Sequence, residues 1–188
     1  NMFEGCTSLV TANSISATTL GNNACAYMFK GCSSLTTADA ISAETLGNYA
    51  CYYMFSGCTS LTTAPELPAS GLGEYCYSCM FSDCTSLTTV NVLPATSFTS
   101  TYCYNNMFSG CTSLTTVPSN MLPATTLSTG CYSSMFRGCT SLVNAPELPA
   151  DNGPYLMPSF CYSNMFRDCT SLTTIPDLPA KVVGQSYY

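Results

Sequence analysis

The chain has no histidine and no tryptophan, and only 7% of its 188 residues are charged. Without imidazole, Ser-His-Asp triads and His-based metal sites are excluded. The basic residues are Lys30, Arg137, Arg167 and Lys181, and the net charge is −6. No basic patch can form to displace counterions from phosphates, so nucleic acid is not an expected partner. Electrostatic docking on anionic lipid is disfavoured for the same reason. No apolar run approaches the roughly 20 residues of a membrane-spanning helix, so no membrane insertion is expected of this segment. There is no signal peptide and no Asn-x-Ser/Thr acceptor for N-glycosylation. The chain opens on Asn-Met-Phe inside a repeat. A processed product or a fragment of a longer protein is therefore expected, with any export signal or anchor outside it.

What is present is repetition. The stretch Met-Phe-x-Gly-Cys-Thr-Ser-Leu-Thr-Thr recurs with small variations at Met2, Met28, Met54, Met80, Met107, Met135 and Met165, at intervals of 26, 26, 26, 27, 28 and 30 residues. Such a period marks units that bury their apolar faces only by stacking on one another. Apolar residues are 46% of the chain, enough for a core, so the surface must be built from Thr, Ser, Asn and Tyr. That hydroxyl-rich, lysine-poor composition fits an exported surface protein better than a cytosolic enzyme.

Within a copy, Cys25, Met28, Phe29 and Cys32 stand at i, i+3, i+4 and i+7, and Cys51, Met54, Phe55 and Cys58 repeat the pattern. This is one face of a helix of about two turns. Later copies read as carrying one extra residue, as in Cys76, Met80, Phe81 and Cys84. The residue before the second Cys is Gly5, Gly31, Gly57, Gly110 or Gly138, with Asp83 and Asp168 as the only substitutes. A left-handed, helix-ending position accepts this pair of residue types. A strand of three to four residues follows, as in Leu61 to Ala64, and ends at Pro65, Pro118, Pro146 or Pro176, which cannot donate to a ladder. A second apolar anchor (Ile15, Ile41, Leu67, Leu93, Leu122, Leu148, Leu178) and a Thr/Ser-rich link then lead to the next helix. Asp151 to Tyr155 reads as a surface loop. A lone copy buries too little to offset its ordering entropy.

Phe-x-Gly-Cys-x-x-Leu-x-x-(Ile/Val/Ala), often followed by Pro, resembles the BspA-like leucine-rich repeat of bacterial surface proteins over nearly the whole chain. The resemblance implies a right-handed α/β solenoid with short parallel strands on one face and short helices on the other. It also implies surface display, adhesion and binding to host or partner proteins, with no catalytic residues. The chain departs from the family in its longer period, in Met before Phe, and in the additional Cys ahead of most Met. The expected architecture is one solenoid over residues 1–188, about seven repeats of 26–30 residues, incomplete at both ends.

The 14 cysteines admit three readings. The two within a predicted helix lie roughly 10–12 Å apart along its axis, beyond the roughly 7 Å Cα separation a disulfide tolerates. Rows of reduced, buried thiols are the favoured reading; disulfides between adjacent copies and a metal site are the alternatives. Cys76 and Cys79 form the one Cys-x-x-Cys pair, without the second pair that structural zinc needs. Cys79 is expected to be exposed. No cofactor is expected.

Glu66, Glu147 and Asp177 occupy equivalent positions after the strand. Glu147 and Asp177, in adjacent copies, are expected roughly 5 Å apart, a spacing like that of a retaining glycosidase. Solvated carboxylates on a repeating surface are the favoured reading, and no enzymatic activity is expected. Tyr77, Tyr104, Tyr132 and Tyr162 should form a row beside the helices, either packing between copies or an adhesive strip. Thr11, Thr37, Thr63, Thr89, Thr116, Asn144 and Thr174 should form an outward row on the strand face, a candidate binding row for protein or glycan.

The two ends also fit each other. Joining Ser186-Tyr187-Tyr188 to Asn1-Met2-Phe3-Glu4-Gly5-Cys6 reproduces the pattern Cys161-Tyr162-Ser163-Asn164-Met165-Phe166-Arg167-Asp168-Cys169. Asn1, Met2, Phe3, Cys6, Leu178, Ser186, Tyr187 and Tyr188 are thus a candidate end-to-end interface. The chain is read as a window of a longer array or as a subunit stacking head to tail into a filament. The expected function is structural or adhesive at the cell surface or beyond it. The alternative is a receptor-type module binding a protein or glycan on its strand face.

Overall fold

Every second N–H of the Met-Phe segment leaves its own stretch of chain. In a computed structural model of the protein, describing residues 1–148 and 157–177, Ala24, Ala26, Met28, Lys30 and Cys32 donate to the carbonyl three residues back, at 3.1–3.3 Å. The residues between them, Asn23, Cys25, Tyr27, Phe29 and Gly31, donate instead to the carbonyls of Asn48, Ala50, Tyr52, Met54 and Ser56 in the next copy, at 2.7–2.9 Å. The segment is a run of consecutive β-turns, and the expected helix is not formed; among the described residues there is no helix. A helix would keep all these N–H groups for itself. Turning alternate peptides toward the neighbouring coil requires a left-handed residue at every fourth position: Asn23 (φ 57°), Tyr27 (57°) and Gly31 (72°) in one copy, Tyr49, Tyr53 and Gly57 in the next.

These bonds link coil to coil in continuous files. One runs from Phe3 N to Met28 O, Phe29 N to Met54 O, Phe55 N to Met80 O, Phe81 N to Met107 O, Phe108 N to Met135 O and Phe136 N to Met165 O, at 2.9–3.0 Å throughout. Four parallel files start at Gly5, Asn23, Cys25 and Tyr27. In all five the earlier coil donates and the later coil accepts.

The rest of each coil is held by short parallel ladders. β1 (Thr11–Ala12) pairs with β3 (Thr37–Ala38), and β2 (Thr19–Leu20) with β4 (Thr45–Leu46), which pairs in turn with β5 (Gly71–Leu72). Isolated bridges join Ile15 to Ile41, Thr63 to Thr89, Ser97 to Thr126 and Asn144 to Thr174. Strands are two residues long, shorter than the predicted three to four, because the chain bends to bury both Leu and the residue three later. The β2–β4–β5 ladder occupies what the sequence reads as a link. Its Leu20 and Leu46 are buried, and the glycines after it fit a close approach: a Cβ on Gly47 would lie 2.7 Å from the backbone nitrogen of Asn22.

The core is a set of columns running along the stack. Phe3, Phe29, Phe55, Phe81, Phe108, Phe136 and Phe166 stack ring on ring with centroids 5.4–5.9 Å apart. Beside them Leu35, Leu61, Leu87, Leu114 and Leu142 are fully buried. Cys32, Cys58, Cys84, Cys111, Cys139 and Cys169 each donate Sγ–H to the Phe carbonyl of the preceding coil, at 3.0–3.2 Å.

The stacking also corrects the reading of an extra residue in later copies. Where Phe55 lies on Phe81, Phe55 N bonds Met80 O; Cys51 N bonds Cys76 O in the same way, which places Cys51 over Tyr77. Cys25 and Cys51 therefore share a column with Tyr77, Tyr104, Tyr132 and Tyr162. Cys76, Cys103, Cys131 and Cys161 sit one position earlier, in the column of Ala24 and Ala50. Nothing is inserted; the cysteine moves back one place and a tyrosine takes the site it leaves.

Candidate functional site

The threonine row lies where the turn run gives way to the first ladder. Thr11, Thr37, Thr63, Thr89, Thr116, Asn144 and Thr174 are all exposed. Their inward partners, such as Ala12, Ala64 and Val90, are buried, as strand alternation requires. Thr37 Oγ1 donates to Thr11 Oγ1 at 3.3 Å. The neighbouring hydroxyls of Thr36, Thr88 and Thr173 donate to backbone carbonyls of the preceding coil, on Val10, Thr62 and Val143, at 3.2–3.3 Å. These side chains brace one coil on the next. Among the described residues no bridge joins Thr89 to Thr116 or Thr116 to Asn144, so the row has a step at Thr116. It offers hydroxyls along a line, and at its start Thr11 and Asn13 also line a cleft against the first coil.

The carboxylates Glu66, Glu147 and Asp177 are all exposed. Among the described residues no three His, Cys, Asp or Glu side chains are grouped to hold a metal. The described cysteines are free; Cys6 is exposed, Cys169 half-buried and the rest buried. Burial pushes the Cys58 and Cys139 thiols up to about 12 and raises those of Cys84 and Cys111 as well. A thiol so far above neutrality is not a nucleophile. Cys79 departs from expectation: it is buried, with its sulfur 3.7 Å from Ser78 Oγ. It occupies the left-handed column of Tyr27 and Tyr53, and the Tyr53 phenol is pushed up by its hydrogen bond to that thiol and then by burial.

The tyrosine row is not an adhesive strip. Tyr77, Tyr104 and Tyr132 are fully buried and stacked 5.7 and 5.9 Å apart, with Phe98 edge-on to the last two. The reason is the column exchange above, which turns these rings into the core. A different aromatic group reaches the surface. Tyr49, Tyr75 and Tyr102 stack at 5.1 and 4.9 Å, Tyr27 stacks on Tyr53 at 5.5 Å, and Tyr52 meets Tyr27, Tyr49 and Tyr53 edge-on. All six are half-buried, and Lys30 Nζ lies 5.3 and 5.5 Å from the ring centres of Tyr27 and Tyr53. The spacing of 26 or 27 residues within Tyr27–Tyr53 and Tyr49–Tyr75–Tyr102 was the available signal.

Of the candidate end-to-end residues, Asn1, Met2, Phe3 and Cys6 lie exposed on the first coil. Leu178, Ser186, Tyr187 and Tyr188 lie outside the described residues, as does the predicted loop from Asp151 to Tyr155. A cleft of about 290 Å³ against the first coil is lined by Phe3, Leu9, Ile15, Met28 and Phe29.

These features define a repeat protein built by stacking like coils through parallel ladders, turn runs and aligned core columns. The family model for the BspA type leucine rich repeat region matches in six copies, over residues 1–106 and 27–173. The chain belongs to this family of BspA-type leucine-rich repeats. A search of curated proteins and a search of solved structures each found no match.

Proposed function

We propose that the chain is one continuous solenoid of seven copies acting as a non-enzymatic structural or adhesive protein at the cell surface or outside the cell. The observation that carries this reading is the uniformity of its outward rows. Thr11, Thr37, Thr63 and Thr89 repeat one side chain coil after coil, all exposed, and such a surface suits contact spread over many weak, equal sites. Its partner would be a protein or glycan of a neighbouring surface, met along the strand face. A receptor-type module would call for a local cluster of unlike side chains on that face. The test is adhesion of the purified chain to glycan- and protein-coated surfaces. Replacing Thr37, Thr63 and Thr89 together by Asp is expected to lower attachment at least tenfold. Attachment that persists unchanged would overturn the strand-face reading, and turnover on a glycan panel would overturn the non-enzymatic one.

The one-way hydrogen-bond files favour a second element of the same reading, head-to-tail association into filaments. A coil that donates in one direction only is matched by another coil of its own kind.

A further inference from the structure

We infer that the half-buried tyrosine group on the turn-run side binds a proline-rich peptide in the extended polyproline II form, with a basic residue of that peptide beside Glu74. This surface lies within residues 27–102 and is separate from the strand face.

Three observations converge on it. The first is where the tyrosines stand. Tyr27, Tyr49, Tyr53, Tyr75 and Tyr102 all hold left-handed backbone, at φ 51–58°, a conformation that glycine and asparagine take most readily. Their two columns carry Asn23 and Gly130 on either side of Tyr49, Tyr75 and Tyr102, and Asn106 and Asn164 farther along from Tyr53. Tyrosine is thus placed against backbone preference over a few consecutive coils. Backbone strain concentrated in one region is a feature of ligand-holding surfaces.

The second is spacing. Stacked at 5.1 and 4.9 Å with Tyr75 between them, Tyr49 and Tyr102 stand about 10 Å apart. A polyproline II helix advances about 9.3 Å per turn of three residues. Two prolines three residues apart therefore meet Tyr49 and Tyr102. Tyr52, edge-on to Tyr27, Tyr49 and Tyr53, joins the second stack to the same surface.

The third is chemistry. Within each stack the ring faces cover one another, which leaves ring edges and phenol hydroxyls for a ligand. A sugar needs a free ring face to stack on. A polyproline II backbone makes no internal hydrogen bond, so its carbonyls accept from phenol O–H groups, and aromatic-lined surfaces are what such segments dock on. Charge sets the flank. Burial raises the Tyr75 phenol, and Tyr102, Tyr49 and the exposed Glu74 add to the shift, which puts this carboxylate at the stack. Among the described residues no cation pairs with Glu74, whereas Lys30 at the other stack lies 3.9 Å from Glu4. The unmatched charge is negative, and a Lys or Arg of the peptide complements it.

The test is fluorescence anisotropy of the full chain with a labelled peptide of two Pro-x-x-Pro turns and one Arg. Saturable binding is expected, at least tenfold weaker when Ala replaces the prolines, because the extended form is then no longer preorganised. Tyr75→Asn installs the residue type that the same column carries at Asn23, so it should fold, as thermal melting reports, and lose at least tenfold in affinity. Tyr75→Phe keeps the stack and removes one donor, for a severalfold loss. Glu74→Lys, on an exposed side chain, should weaken the Arg peptide at least fivefold and strengthen one with Glu in its place. Replacing Thr37, Thr63 and Thr89 by Asp should leave the peptide's affinity unchanged, so this surface and the strand face stand or fail separately. No saturable binding, binding indifferent to proline or to Tyr75→Asn, or a charge preference unmoved by Glu74→Lys would each overturn the proposal. Tyr75-dependent binding of a β-linked oligosaccharide or of a second copy in the peptide's place would reassign the surface and overturn it too.

Discussion

The hydroxyls of Tyr77, Tyr104 and Tyr132 are buried with no hydrogen-bond partner, in rings whose stacking places them there. An orphaned buried hydroxyl costs about 1–3 kcal/mol. Tyr104→Phe keeps the ring and removes the orphan, so urea unfolding should show equal or slightly greater stability, while Tyr104→Ala should lose about 3–5 kcal/mol. A marked loss in the Phe variant would mean that a partner holds the hydroxyl. The thiols add a pH dependence. Cys58 and Cys139 ionise near 9 when unfolded and near 12 when folded. Their contribution is complete below pH 9 and is lost as the pH rises toward 12. With no His in the chain, urea midpoints should hold level between about pH 6 and 8 and fall above pH 9. Asp83 is a third case, since it stands at φ 60° in a column otherwise mostly glycine. Asp83→Gly should raise stability by about 1 kcal/mol, read as an increase in melting temperature; a decrease would mean that its bond from Ser82 Oγ at 3.2 Å outweighs the backbone gain.

At the level of the coil, the sequence is legible wherever a residue type can do only one thing. Gly31 and its equivalents, with Asp as substitute, announce a left-handed position, and Pro65 or Pro146 announces the end of a ladder. The helix reading failed for a physical reason. Consecutive turns that place one left-handed residue in every four bury side chains at a spacing close to the 3.6 residues of a helix, so Cys25, Phe29 and Cys32 fit both. The residues that would have separated the two, Tyr27, Tyr53, Ser134 and Phe160, are left-handed here although nothing in their side chains favours it. Only the coil-to-coil bond compels it. The threonine row was legible from strand alternation alone, whereas the half-buried tyrosine group showed in the sequence only as a spacing, because which rings meet follows from the turn run. The strength of a coil lies in its neighbours. Phe81→Ala, in the middle of the aromatic column, should cost about 3–5 kcal/mol, and Phe3→Ala, on an outer coil, far less. Equal losses in denaturant titrations would contradict a core built by stacking.

Over the whole molecule, the ladders carry bonds in both senses: Asp39 N donates back to Ala12 O, and Ile15 N forward to Ala40 O. The five files of the turn run do not alternate, and the peptides in them all face the same way along the stack. Each peptide unit carries a dipole of about 3.5 D, so five aligned files add at most roughly 18 D per coil. The stacked coils from Met2 to Asp168 therefore act as an electret, with carbonyls facing the Met2 side and N–H groups facing the Asp168 side. The Asp168 carboxylate and the Lys30 ammonium oppose this moment, whereas Glu4 beside Lys30 and Arg137 and Arg167 beside Asp168 add to it. Such a molecule should turn in an applied field, and electric birefringence that grows with the number of coils would be its signature.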